Sequence, residues 1–379
     1  MDDTARKRGL AIVLAVVFLD LLGSVVAWTV FGLAEALWLL FLARMLAGAM
    51  GGNLSTAQAY VADVTPPERR ATALGYIGAA FGLGFIFGPG IGAVLSFDAT
   101  IAAVDAAAPA AIPVTRFSLP SFAAAFFSLC GVLVAFAFLP EPRSPGPADR
   151  SERPSALAQL RAAVVTSGLR ELLTAFFLVS FAFSGVTVMF IPYVADIYGF
   201  SATQSALSLT YVGLLAVLTQ GVLIGRLTAR YGSVPLSLGG AALLAVAVGA
   251  LPFSRPLGGV FPDLTWVAPF LTADVLGLLA VLTLLPVGNG VLSVTLTALV
   301  SQRASADLQG SAFGVTQGAG SLARTVGPPV MGGLYAAVGY WAPFVLGSLL
   351  LLPVLALVAR LGHDLDAGDP RTADPGHVR

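Results

Sequence analysis

Apolar residues run along this chain in blocks of twenty or more, divided by short polar turns. Leu10–Leu33 is apolar except for Asp20, and Leu37–Val61, Ala71–Ser96 and Ser118–Leu139 repeat the pattern. A second series follows at about 170–194, 203–225, 234–254, 273–298, 310–336 and 340–360. A helix needs about 20 apolar residues to cross a bilayer core. Each block is therefore predicted to be a membrane-spanning helix, four in the first series and six in the second. Residues 97–117 hold Pro109 and Pro113 in an alanine-rich stretch and are read as an outer loop. Ala34-Glu35-Ala36 has the form of a signal-peptide cleavage site. A signal core is only about 7–15 residues long, however, and the first block is longer and carries an aspartate, so it is read as a retained span.

The fold class is accordingly all-α and polytopic. The predicted divisions are an N-terminal helical bundle over 1–139, a Pro- and Arg-rich cytoplasmic linker over 140–169, a C-terminal bundle over 170–362, and a polar tail over 363–379 read as disordered. Charge fixes an expected orientation, because cytoplasmic loops carry an excess of Lys and Arg. With the N-terminus inside, sixteen basic residues face the cytoplasm; only Arg116 and Arg255 face out. The remaining two, Arg44 and Arg324, lie within spans. A multi-pass protein of the inner, plasma membrane with both termini cytoplasmic is expected.

Composition narrows the function classes. Charged residues are 11% of the chain and hydrophobic residues 57%, where soluble domains carry about 25% charged. Formal net charge is zero, so no basic field for nucleic acid exists. Cys130 is the only cysteine, and the two histidines, His363 and His377, lie in the tail. The spans therefore offer no thiol pair, no zinc ligand set and no histidine base, and neither a metal, a cofactor nor an enzyme activity is expected.

The two series are related. A shift of 239 residues carries Gly51 onto Gly290, Thr56 onto Thr295, Gly75 onto Gly314, and Gly88-Pro89 onto Gly327-Pro328. Halves that repeat in the same sense are one architecture of secondary transporters.

Polar groups inside apolar runs are the candidate chemistry, since a charge in the membrane is costly and marks function by default. Arg44 shares a helical face with Gly48, Gly51, Ser55 and Gln58. It is read as a fixed positive charge on a pathway, or as an arginine snorkelling to the interface. Asp20 is read either as a proton carrier, because burial raises a carboxyl pKa toward neutrality, or as a buried acid bonded to a neighbour. Gln220, Asn289, Gln317 and Arg324 are candidate cavity-lining residues, each equally able to bond a neighbouring helix. Gly84, Gly88 and Gly92 form a small-residue face beside Pro89, with Gly327 and Pro328 as their second copy. These are read as close packing and a hinge.

These residues resemble the major facilitator superfamily, and within it the drug:proton antiporter branch that includes tetracycline-efflux-type proteins. That branch's fifth-helix pattern, G-x-x-x-G-P-x-x-G-G, is met by Gly84, Gly88, Pro89 and Gly92, with Ala93 for the last glycine. Arg44-x-x-x-Gly48 resembles its fourth helix, and Phe18-Leu19-Asp20 its first. Asp63 through Arg69-Arg70 resembles the cytoplasmic turn after helix four. Gly225, Arg226, Arg230 and Gly232 resemble the C-half copy of the gating loop between helices two and three.

The resemblance implies two bundles, alternating access, and efflux of small hydrophobic or cationic compounds against proton entry. Part of the first helix, the second and part of the third have no counterpart, so about ten spans stand where the family has twelve. Two other readings stay open, a metabolite uptake facilitator and a non-transporting, internally deleted membrane protein. Self-association could complete the N-terminal bundle.

Overall fold

A computed structural model describes residues 24–49, 58, 61, 65–66, 69–109, 112–138, 169–267, 270–304 and 309–367. Asp20, Ser55 and Asp63 lie outside these residues. Every regular element among the described residues is helical. The chain divides into two units: one of residues 1–64 and 87–155, the other of 65–86 and 156–379.

In the first unit, residues 24–32 form helix α1, Leu37–Ala49 is α2, and α3 (Arg70–Leu95) supplies its second part. Asp98–Asp105 is a single short helix, α4, and Ser118–Phe138 is α5. As predicted, the described residues of 97–117 contain no helix long enough to span. Arg116 pairs with Asp98 at 2.7 Å across this loop, and Ser96 donates to the Arg116 carbonyl at 3.1 Å. Helices α1 and α5 meet where Gly32 lies against the Phe122 ring. A Cβ built at position 32 would come within 2.6 Å of that ring.

The second unit holds all six helices predicted for the C-terminal half. They are α6 (Leu169–Tyr198), α7 (Ala202–Val217) continued by α8 (Ile224–Tyr231), α9 (Ser233–Ala250), α10 (Ala273–Arg303), α11 (Gln309–Ala337) and α12 (Ala342–Ala367). Among the described residues five stretches are long and apolar enough to cross a membrane: Leu169–Tyr198, Gln204–Tyr231, Ser233–Val260, Ala273–Arg303 and Ala342–Gly362. Pro192, Pro286, Pro328, Pro329 and Pro353 all lie within helices. Membrane helices tolerate this because neighbouring helices and local adjustments satisfy the freed carbonyls.

Helix α6 packs on α11 and α12, α12 packs on α9, and α9 packs on α10. Small residues set these distances. At Gly240 a Cβ would sit 2.8 Å from the Leu292 backbone nitrogen, and at Gly288 2.6 Å from that of Leu244. The α9 and α10 backbones therefore touch at two points, as small residues permit where lipid supplies no hydrophobic drive between helices. Ser237 donates to the Thr295 hydroxyl at 2.8 Å in the same interface, with both residues buried.

Two features differ from the sequence expectation. Helix α12 runs to Ala367, past the expected start of the polar tail at His363. Residues 363–367 contain neither glycine nor proline, so the helical ladder has no local reason to stop before Gly368. The second feature is a π-helical turn, Leu218–Leu223, that interrupts the predicted span between α7 and α8. Apolar periodicity carries no signal for one extra residue in a turn.

Candidate functional site

The π-turn places the first polar group. Single π-turns recur at functional sites because they re-aim side chains and free a carbonyl. Gln220 lies inside this one. Its side chain lies over Gly290 of α10: a Cβ at 290 would be 2.9 Å from its Cγ and 3.4 Å from Nε2. Asn289 is the adjacent residue and is half-buried, as is Ser293 one turn on. Neither the Gln220 nor the Asn289 amide has a hydrogen-bond partner among the described residues. One turn and a half toward the start of α10, Thr283 and Tyr211 share a hydrogen bond of 2.7 Å.

The second polar group joins α6 and α11. Gly320 leaves room beside Arg324 Nη1 and Ser180 Oγ, at 3.2 and 3.3 Å from a Cβ built there. Arg324 also donates to the Ser321 hydroxyl at 3.2 Å. Gln317 is half-buried one turn earlier on α11. One turn further on, Gly327 packs directly against the Ser184 hydroxyl, which donates to the Phe181 carbonyl at 2.7 Å.

In the first unit, Arg44 is exposed. Its guanidinium carbon lies 5.4 Å from the Trp28 ring centre and 5.0 Å from that of Phe31. Both distances are within cation–π reach. Gln58 is buried. No described atom lies within 4 Å of a Cβ built at Gly84, Gly88 or Gly92.

Around the C-terminal end of α6 stands a cluster with no sequence signal. Tyr193 is fully buried, and its hydroxyl donates to the Leu251 carbonyl at 2.8 Å. Ser254 lies 3.0 Å from that hydroxyl and 2.8 Å from the hydroxyl of Tyr198. Arg255 pairs with Asp274 at 2.8 Å and donates to the Ile197 carbonyl at 3.1 Å. Nearby, Tyr335 of α11 donates to Asp196 of α6 at 2.6 Å. These partners lie 19–139 residues apart in the chain, so only folding brings them together.

The described apolar helices thus carry amides on half-buried faces and a guanidinium, that of Arg324, on an exposed one. The Major Facilitator Superfamily profile matches residues 6–328. The chain belongs to that superfamily: it is a multi-pass membrane protein of a transporter family, not an enzyme. It is 26% identical over 352 residues to the class C tetracycline resistance protein of Escherichia coli, covering 91% of this chain and 79% of that protein. It resembles the crystal structure of the human organic anion transporter MFSD10 (TETRAN), with a TM-score of 0.68 and 25% identity, over 94% of this chain and 79% of that one. The proton:xylose symporter XylE shares the fold, with a TM-score of 0.64 at 16% identity over 94% and 80% of the two chains.

Proposed function

We propose that this chain is a secondary active transporter that exports small hydrophobic or cationic compounds in exchange for protons. The observation that carries the reading is the pair of unsatisfied amides, Gln220 and Asn289, on neighbouring helices. An unpaired amide in hydrocarbon costs several kcal/mol, on the order of 2–7. Such groups persist where they face water or a ligand. Similarity across nine-tenths of the chain to a tetracycline resistance protein supports efflux.

In this reading Asp20 carries the proton and Arg44 tunes the local charge. Ser55, Gln58, Gln220, Asn289, Gln317 and Arg324 line the path. Asp63, Arg69, Arg70, Gly225, Arg226 and Arg230 belong to the cytoplasmic gating loops. Gly84, Gly88, Pro89, Gly92, Gly327 and Pro328 allow the helices to rock. The protein sits in the plasma membrane with both termini inside, as the sixteen-to-two distribution of basic residues supports. The shortened N-terminal half is completed by a second copy or works as it stands.

A second reading is favoured by Arg324, a cation within α11 whose hydrogen-bond partner among the described residues is a neutral hydroxyl. It would suit an organic anion, the substrate class named for the human protein of similar structure.

Proteoliposomes under an imposed pH gradient separate these readings. Substrate-dependent proton flux with tetracycline, lost in Asp20→Asn and reduced in Asn289→Ala, supports efflux. Flux with an organic anion, lost in Arg324→Gln but intact in Asp20→Asn, supports the second. Silence with both substrates overturns the transport reading in favour of a non-transporting protein.

A further inference from the structure

We propose that the groove between the first turn of α6 and the last part of α12 is a binding site for the headgroup of a monoanionic membrane phospholipid. The groove has a volume of about 480 Å³, and Arg170, Glu171, Thr174, Leu357, Arg360 and Leu361 line it.

Its cations are available. Arg360 is exposed and has no hydrogen bond or ion pair among the described residues. Arg170 has a side chain 69% exposed and, among the described residues, pairs with the adjacent Glu171 at 3.4 Å. Guanidinium forks match phosphate oxygens in two-pronged fashion. The Thr174 hydroxyl donates to the Arg170 carbonyl at 2.9 Å and holds that turn in place.

The charge balance selects the ligand. Among the described residues that line the groove, two guanidinium groups stand beside one carboxylate, an excess of positive charge. A phosphodiester carries one negative charge and matches it. Free phosphate is a mixture of mono- and dianion near neutrality and has no acyl chain to lie beside the groove.

The surroundings select a lipid. Leu349 and Leu352 are 55% and 53% exposed. With Pro353, Ala356 and Ala359 they form one exposed apolar stripe that ends at Arg360. An acyl chain lying on this stripe brings its headgroup to the arginines. Basic pockets at the membrane boundary recognise lipid headgroups in this way.

Native mass spectrometry of the purified, delipidated full chain tests the proposal. Titration with phosphatidylglycerol is expected to give a one-to-one adduct. Arg360→Ala and Arg170→Ala should each weaken it about tenfold, and Arg360→Lys should recover part of the loss. Equal retention of phosphatidylethanolamine would refute recognition by net charge. Inorganic phosphate that competes at equal concentration would refute a lipid site. Binding unchanged in Arg170→Ala/Arg360→Ala would place the lipid elsewhere. If that double variant loses its monodisperse profile, Arg360→Glu, a single exposed change, replaces it with the same expected loss.

Discussion

Arg70, the first residue of α3, reaches the last turn of α10: its Nη1 lies 3.1 Å from the Ser301 hydroxyl and 3.3 Å from the Ser301 carbonyl. Its Nε donates to the Thr65 carbonyl at 3.2 Å. The last four carbonyls of a helix have no partner within it, and Ser301 is among them in α10. A guanidinium there both bonds the carbonyl and meets the negative end of the helix dipole. The sequence marks Arg70 as part of a charged turn; its partner is 231 residues away.

Arg70→Ala should therefore uncap α10. The expected cost is about 1 kcal/mol, seen as a lower Tm in detergent. In a Cys130→Ser background, a cysteine replacing the buried Ser301 should label faster with maleimide when Arg70 is alanine. Unchanged labelling would remove Arg70 from this role.

Glycines along α3 should respond unequally to alanine. At Gly75 a Cβ would come 2.7 Å from the Gln220 backbone oxygen, which cannot swing aside. Gly75→Ala is expected to cost about 1–3 kcal/mol through overpacking. Gly84→Ala meets open space in the same helix, and the higher helix propensity of alanine should leave it neutral or slightly stabilising. Thermal denaturation of both variants settles the order, and equal losses would contradict this packing.

Removing the Tyr193 hydroxyl should loosen the end of α6. Tyr193→Phe keeps the ring contacts to Phe344 and Tyr340, 5.4 and 6.0 Å away between centroids. It deletes the bonds to Leu251 and Ser254. One buried bond contributes about 1 kcal/mol, and an orphaned partner adds to the loss. A fall in Tm is expected, and Ser254→Ala combined with it should cost less than the sum of the two single changes, because both remove the same shared bond. A fully additive loss would mean that the two hydroxyls contribute independently of the bond between them.

The loop before α10 carries a pH response. Asp263 accepts the Thr265 backbone N–H at 2.8 Å. The Thr265 hydroxyl, and after it this backbone bond, hold its carboxyl below the usual carboxylate range. A group depressed in the folded state contributes above its unfolded pKa, and the contribution is lost as pH falls through the folded value. The turn should thus be ordered at neutral pH and loosen in acid. NMR titration of Asp263 should give a midpoint below that of a free aspartate, and Thr265→Ala should raise it. A midpoint indifferent to Thr265 would show that the hydrogen bonds do not set it.

The sequence alone determined that the chain is helical and spans a membrane, because runs of apolar residues near twenty long have one stable solution in lipid. All six C-terminal helices fall where the runs predict them, and the family was visible in Gly84, Gly88, Pro89 and Arg44 at fixed local spacings. Only the tertiary structure decided which glycines carry contacts, that Gln220 sits in a π-turn over Gly290, and that Arg70 meets Ser301. Tyr193 and Ser254 likewise became partners only through packing. Helical periodicity shows which residues share a face. It holds no record of what another helix, scores or hundreds of residues away, brings to that face.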